Sequence, residues 1–256
     1  MMKLRHPSDG WALALVASVL AVQLWLFFRV ESLLWTTAGV AALFPFQSVT
    51  IACVHYQHHR AVFGSGLLNR LYEMVLFLET GLPPYLLTLH HNLGHHREYL
   101  RPATDTLRWR HPSGEPMTLA TYLWLNLRDL VPNTIAVGRQ HPTVLAKLQW
   151  LLVPALLPLI ALLAIDPRKA LLVFVLPMFV NVLNTIRIGY QQHAGLDTSD
   201  QLTASRNQGG RLYNLLTFNS GYHTAHHLKP GLHWSELARF HGEIRDRIPP
   251  GLVNHG

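Results

Sequence analysis

Four long apolar stretches, almost free of charged side chains, constrain the fold of this 256-residue chain more than any other feature. They cover about residues 11–28, 33–54, 148–165 and 170–190. A membrane-spanning helix needs about 20 predominantly apolar residues. Only 14% of the residues are charged, whereas about 25% is usual in soluble domains. We therefore predict an all-α fold: a polytopic membrane helix bundle with four spanning helices.

A fifth apolar stretch, residues 67–89, is interrupted by Glu79, Gly81 and a Pro83–Pro84 pair. It is predicted to form a re-entrant or interfacial helical pair, with both ends on one side of the membrane. Two closely spaced crossings are the alternative. The more polar segments are expected to form a helical cytoplasmic cap that carries the histidine motifs. Residues 1–256 are then a single integral membrane domain.

The charge balance indicates an orientation. The net charge is +7, but the basic residues flank apolar segments, which favours a membrane and not a nucleic acid as the partner. If the N-terminus is cytoplasmic, the only Lys and Arg residues on the far side are Arg29, Arg168 and Lys169. This asymmetry follows the positive-inside rule. It predicts a multi-pass protein with its histidine motifs on the cytoplasmic face.

Histidine is the unusual residue type, with 17 copies that are bunched along the chain, whereas Cys53 is the single cysteine. One cysteine excludes a metal site built from several thiolates. The motifs are HYQHH, HHNLGHH, GYQQHAGL and HTAHH, which contain the candidate ligands His55, His59, His91, His95, His96, His193, His223, His226 and His227. Residues three and four apart share a face of an α-helix. We therefore expect His55 with His59, His91 with His95, and His223 with both His226 and His227 to converge. His96 lies one step round from His95, so this pair can reach two adjacent metals. Nine imidazoles exceed the needs of one ion and predict two metal ions.

These motifs resemble the histidine boxes of the membrane fatty acid desaturase and alkane hydroxylase superfamily, over about residues 50–235. HNLGHH looks like the alkane hydroxylase form of the second box, and GYQQHAGL is similar to a further element of that branch. The resemblance implies that the nine histidines hold two non-haem iron ions, with O₂ as co-substrate. It implies no catalytic residue beyond these metal ligands.

Metal-bound histidine nearly always donates its second ring N–H to a partner. The candidates for this supporting role are Asp105, Asp197, Glu79, Asn219 and Glu236. His58 and His90 adjoin the motifs but break their spacing, so we expect them to support the ligands or the structure, with ligation as the less favoured alternative. His111, His141, His233, His241 and His255 are expected at the surface.

The sequence alone leaves four functions to be weighed. Oxidation of an unactivated C–H bond in a lipid-like chain is favoured, with desaturation of a fatty acyl chain ahead of hydroxylation of an alkyl, fatty acyl or carotenoid-type substrate. A metal transporter would place polar residues at mid-membrane, which these stretches almost lack. A structural protein leaves the repeated histidine spacing unexplained. Because no glycine-rich dinucleotide fingerprint or haem motif is visible, we expect a separate electron donor: ferredoxin, rubredoxin or cytochrome, with its reductase.

Overall fold

The computed structural model describes residues 3–101 and 103–254, and in these ranges the chain is predominantly helical. The helices are α1 (Asp9–Arg29), α2 (Leu33–His59), α3 (Gly66–Thr80), α4 (Thr88–His96), α5 (Leu119–Gln140), α6 (Pro142–Ile165), α7 (Pro167–His193), α8 (Arg211–Leu216), α9 (His223–Leu228) and α10 (Leu237–Ile244). Short 3₁₀ turns lie at Trp234–Glu236, Arg245–Arg247 and Pro250–Leu252. Two residue pairs, β1 (Asn207–Gln208) and β2 (Val253–Asn254), align in parallel. The all-α prediction is confirmed.

Helices α1, α2, α6 and α7 are each long and apolar enough to cross a membrane. They include the four predicted stretches and extend beyond them. Helix α2 continues through its histidine motif to His59, and α7 ends at His193. Thus two of the four histidine motifs lie at the ends of predicted membrane spans.

The chain forms two compact units. The first, which we call the span unit, contains the chain up to Leu87 together with Pro142–Asn184. The second, the histidine unit, contains Thr88–His141 and the chain from Thr185 onward. The unit boundary falls within α7, and its last part, including His193, belongs to the histidine unit.

Apolar side chains fill the span unit, with Leu26, Phe27 and Phe174 among the most buried. The few polar groups of the spans are also buried and hydrogen-bonded. The Gln23 amide donates to the Val173 carbonyl at 3.1 Å, and the Gln47 amide donates to the Glu79 carbonyl at 2.8 Å. These bonds offset the cost of removing amides from water.

The interrupted stretch at residues 67–89 forms one helix and a turn. Helix α3 ends at Gly81, whose φ of +74° is left-handed. A Cβ atom at this position would lie 2.9 Å from the Met178 carbonyl oxygen, so both the backbone and the packing require glycine. The next helix, α4, begins at Thr88. Whether this segment dips into the membrane stays a prediction.

Two tyrosine hydroxyls form hydrogen bonds that help to hold the histidine unit together. The Tyr122 hydroxyl of α5 donates to the Leu107 carbonyl at 3.2 Å, and that of Tyr190 in α7 donates to the Met117 carbonyl at 2.9 Å. These bonds connect two helices to the loop between α4 and α5. Helix α4 is a π-helix, in which the backbone N–H bonds the carbonyl five residues back.

Candidate metal centre

Four histidines of the histidine unit direct their Nε2 atoms toward one another. They come from α4, α7 and α9 and form what we call cluster B: His95, His193, His223 and His227. His193 Nε2 lies 3.2 Å from that of His95 and 3.0 Å from that of His223. His223 and His227 are also 3.0 Å apart at Nε2. All four rings are buried.

The outer ring nitrogens of cluster B fix two of its tautomers. His95 Nδ1 lies 2.8 Å from the Asp105 carboxylate, and His193 Nδ1 lies 2.9 Å from the Ala204 carbonyl oxygen. Both oxygens are acceptors, so each Nδ1 carries the proton and each Nε2 presents a lone pair. Two lone pairs that face each other at 3.2 Å repel unless a cation lies between them. The arrangement therefore fits a metal ion.

Within the histidine unit, a second group of histidines, which we call cluster A, contains His91, His96 and His226. His96 Nε2 lies 3.0 Å from that of His91 and 2.9 Å from that of His226. His95 and His96 are consecutive in α4, and His226 and His227 are consecutive in α9. Each of these two helices therefore supplies adjacent histidines to adjacent clusters, which produces two neighbouring candidate metal positions.

The nitrogen separations match coordination geometry. Two metal–nitrogen bonds of about 2.1 Å at a right angle separate the nitrogens by about 3.0 Å. The separations in the two clusters are 2.9, 3.0 and 3.2 Å. A donor set made of imidazoles suits iron, zinc, copper or nickel. The residues present therefore fit two transition-metal ions.

His95 and His96 lie in different clusters, as expected, but the position of His91 differs from the prediction. We expected His91 and His95 to converge, but His91 lies with His96 and His95 belongs to cluster B. The cause is the π-helical backbone of α4, which places residues five apart on one face. In α9 the expected convergence of His223 with His227 is present, whereas His226 faces cluster A.

The electrostatics of cluster B favour metal binding. Burial lowers the pKa of His227 well below its ordinary value, and the neighbouring histidines lower it further. This ring is therefore neutral, the form that binds metals. Burial alone would raise the pKa of Asp105, but the His95 ring and the Leu107 N–H together hold it below its ordinary value. Asp105 is thus the charged acceptor for His95.

A buried polar clamp, which no sequence motif indicates, supports helix α9. The Asn207 side chain accepts from the Thr224 backbone N–H at 3.0 Å and donates to the Thr224 hydroxyl at 2.8 Å. Ser205 lies 2.8 Å from the same hydroxyl. The three side chains are fully buried. Because residue 224 follows His223, the clamp fixes the start of the helix that carries three histidines.

Of the five candidate supporting residues, the structure brings Asp105 to a clustered histidine. Asp197 instead pairs with Arg110 at 3.0 Å and is exposed. The Asn219 amide donates to the Trp234 carbonyl. Glu79 is buried in the span unit, and Glu236 ends a 3₁₀ turn.

One aromatic neighbour of cluster B was missed from the sequence. The Tyr99 ring lies 4.3 Å from the His227 ring, centroid to centroid. Burial raises the pKa of Tyr99 to about 12, and Asp200 adds to the effect. The phenol therefore stays protonated beside the candidate metal position. The sequence offered one indication of this contact, because Tyr99 lies only three residues after His96.

Two further pairs of histidines bear on the predictions, whereas His255 lies outside the residues that the structure describes. His55 and His59 belong to the span unit, where their rings lie 4.9 Å apart at the end of α2. Their participation in metal binding stays a prediction. His233 and His241 are buried, so the expectation that they lie at the surface is wrong. The His241 ring stacks on Tyr222, and His233 Nδ1 lies 2.7 Å from the Ser235 hydroxyl.

The fold and the clusters together define a class: an all-α membrane protein with clustered histidines in its interior. A family model described as fatty acid desaturase matches residues 31–255. The chain therefore belongs to the fatty acid desaturase family, and it is an oxidoreductase of the integral membrane type. A search of curated proteins finds no match.

Proposed function

We propose that this protein is a di-iron enzyme that uses O₂ to oxidise an unactivated C–H bond in a lipid-like chain, most simply by fatty acyl desaturation. The observation that carries the proposal is the pair of adjacent imidazole clusters in a chain of the fatty acid desaturase family. The proposed ligands are the seven histidines of clusters A and B together with His55 and His59.

Desaturation removes two hydrogen atoms from adjacent carbons, and O₂ is reduced to two waters with two further electrons and two protons. When bound, the two iron ions would supply the activation of O₂. The protein's own residues hold the ligands in place. Asp105 and the Ala204 carbonyl orient two rings of cluster B, and the clamp at Asn207 orients α9.

Hydroxylation of the same kind of chain is the second candidate. The observation that favours it is the position of His193, which belongs to cluster B and lies in the element that resembles alkane hydroxylases. In this case one oxygen atom of O₂ enters the product as a hydroxyl group and the other leaves as water. The two reactions differ in product mass, so they are separable by experiment.

The electron donor is proposed to be a separate protein, a ferredoxin, rubredoxin or cytochrome with its reductase. The proposed site faces the cytoplasm, as the distribution of Lys and Arg around the spans favours. A cytoplasmic donor would then reach the centre from the same side.

The test is product analysis in membranes. The chain is expressed with a ferredoxin and its reductase, supplied with saturated acyl chains of graded length, and the products are measured by mass spectrometry under ¹⁸O₂. Desaturation predicts products lighter by two hydrogens, without ¹⁸O. Hydroxylation predicts incorporation of one ¹⁸O atom. A His227→Ala variant, which lacks a buried ligand of cluster B, should give neither product.

Unchanged substrate with every acyl chain and donor tested would contradict the proposal. Products formed equally well by His227→Ala would also contradict it, because they would come from another enzyme in the membrane.

A further inference from the structure

A cavity of about 410 Å³ opens in the histidine unit beside the loop that follows His193. Its volume lies within the range of about 300 to 1,000 Å³ that is usual for small-molecule sites. Trp109, Met117 and Tyr190 provide apolar and aromatic walls, and Arg206 and Gln208 add polar groups. The combination suits a ligand that is apolar on one side and polar on the other.

Arg206 is the charged side chain of this cavity. Among the described residues it forms no salt bridge. Its backbone N–H donates to the Gln192 carbonyl at 2.9 Å, and its Nη1 donates to the Ala194 carbonyl. These contacts hold the guanidinium in place without neutralising its charge. A guanidinium offers five N–H donors in a planar fork, so most of its donors are available to an anion.

The neighbouring arginine differs in this respect. Arg110 pairs with Asp197 at 3.0 Å, and its guanidinium lies 4.2 Å from the centre of the Trp109 ring. Its charge is therefore compensated, and the stacking steadies the aromatic wall of the cavity. The uncompensated positive charge is the one that belongs to Arg206.

We propose that this cavity binds the anionic headgroup of the substrate, a carboxylate or a phosphate, with Arg206 as the residue that recognises the charge. The proposal rests on the proposed function, because it assigns one end of the same lipid-like substrate. Arg206 bonds the carbonyl of Ala194, the residue directly after His193. Binding at the headgroup is therefore connected through one residue to a ligand of cluster B.

The sharpest test changes the charge of the cavity at Gln208. This side chain is exposed and lines the cavity. Gln208→Glu should weaken the binding of an anion about threefold, and Gln208→Lys should strengthen it by a similar factor, as expected for a partly screened charge. Gln201→Glu is the matched control, because Gln201 is exposed and lies outside the cavity lining.

Binding is measured with radiolabelled hexadecanoate on purified full-length protein in a neutral detergent. Hexadecyl phosphate and the methyl ester of hexadecanoate serve as competitors. Whichever of the two anions binds more tightly identifies the headgroup, and the neutral ester should compete poorly. Arg206→Gln should weaken the binding of the anion about tenfold, since a charge-assisted bond is lost, and should leave the binding of the ester unchanged.

Equal affinity for the acid and its ester would overturn the proposal, as would identical binding by the two Gln208 variants. A shift in Gln201→Glu as large as that in Gln208→Glu would also overturn it, because the effect would then come from surface charge in general. If Arg206→Gln does not fold, the comparison of Gln208→Glu with Gln208→Lys tests the proposal. Binding requires no turnover, so a protein that binds hexadecanoate but oxidises nothing contradicts only the proposed function.

Discussion

Asp105 allows the supporting role of a carboxylate to be tested quantitatively. One oxygen, Oδ1, lies 2.8 Å from His95 Nδ1 and also accepts from the Leu107 N–H at 2.8 Å. An Asp105→Asn substitution keeps an oxygen acceptor at this place but removes the charge. An Asp105→Ala substitution removes the acceptor and leaves the His95 ring without an orienting partner.

The role of Asp105 as the partner of the His95 ring sets an expected magnitude for each change. Loss of a partner that orients a metal-bound histidine costs about 10- to 100-fold in metal affinity. We expect Asp105→Asn near the lower value, about 1.4 kcal/mol, because tenfold corresponds to that free energy. Asp105→Ala should lie near the upper value, about 2.8 kcal/mol.

The assay is titration of metal-depleted protein with ferrous iron under anaerobic conditions. Asp197→Asn is the matched control, because Asp197 was an equal candidate from the sequence but pairs with Arg110 at the surface. Its iron affinity should stay within about twofold of the unsubstituted protein, as is usual for an exposed ion pair. Unchanged affinity in Asp105→Ala, or an equal loss in Asp197→Asn, would refute the reasoning.

Three further predictions concern stability and the clamp. Gly81→Ala should lower the melting temperature, because a left-handed residue would gain a Cβ atom 2.9 Å from the Met178 carbonyl oxygen. Gly10→Ala is the control: nothing lies within 4 Å of its added Cβ atom, so the melting temperature should stay unchanged or rise. Equal effects of the two substitutions would contradict this account. Asn207→Ala should lower both the melting temperature and the iron content, because the Thr224 N–H loses its buried acceptor. If both values stay normal, the clamp is dispensable. Removal of metal with a chelator should lower the melting temperature, because a ligand that binds only the folded state stabilises that state. Differential scanning fluorimetry measures the change. Identical melting curves with and without chelator would argue against a bound metal.

The sequence was sufficient for the class of fold because membrane spans are recognisable from length and hydropathy alone. It also identified the histidine motifs, because imidazoles at short spacings are rare by chance. Seven of these histidines lie in the two clusters of the histidine unit. These features depend on local sequence, so no knowledge of tertiary structure was needed to find them.

The sequence indicated that His95 and His96 reach different metals, but it did not allow the other histidines to be assigned to individual clusters. The spacing of His91, His95 and His96 was read as α-helical, whereas α4 is a π-helix. Nothing in the letters HHNLGHH distinguishes the two backbones. Likewise, Asp105 and Asp197 were equivalent candidates, and only the tertiary fold places one beside His95 and the other at the surface.

The contacts that hold the histidines in place were also not predictable from a single sequence. The clamp joins Asn207 to Thr224 across 17 residues. No sequence spacing predicts hydrogen bonds between two polar residues this far apart, because their contact depends on how the loop after α7 folds. The pairing of His193 with the Ala204 carbonyl is of the same kind.

The iron content of the purified protein tests the central claim most directly. Elemental analysis of protein expressed in iron-replete cells should give about two iron atoms per chain, as expected for two imidazole-rich sites. One metal ion per chain, or zinc in place of iron, would contradict the di-iron account.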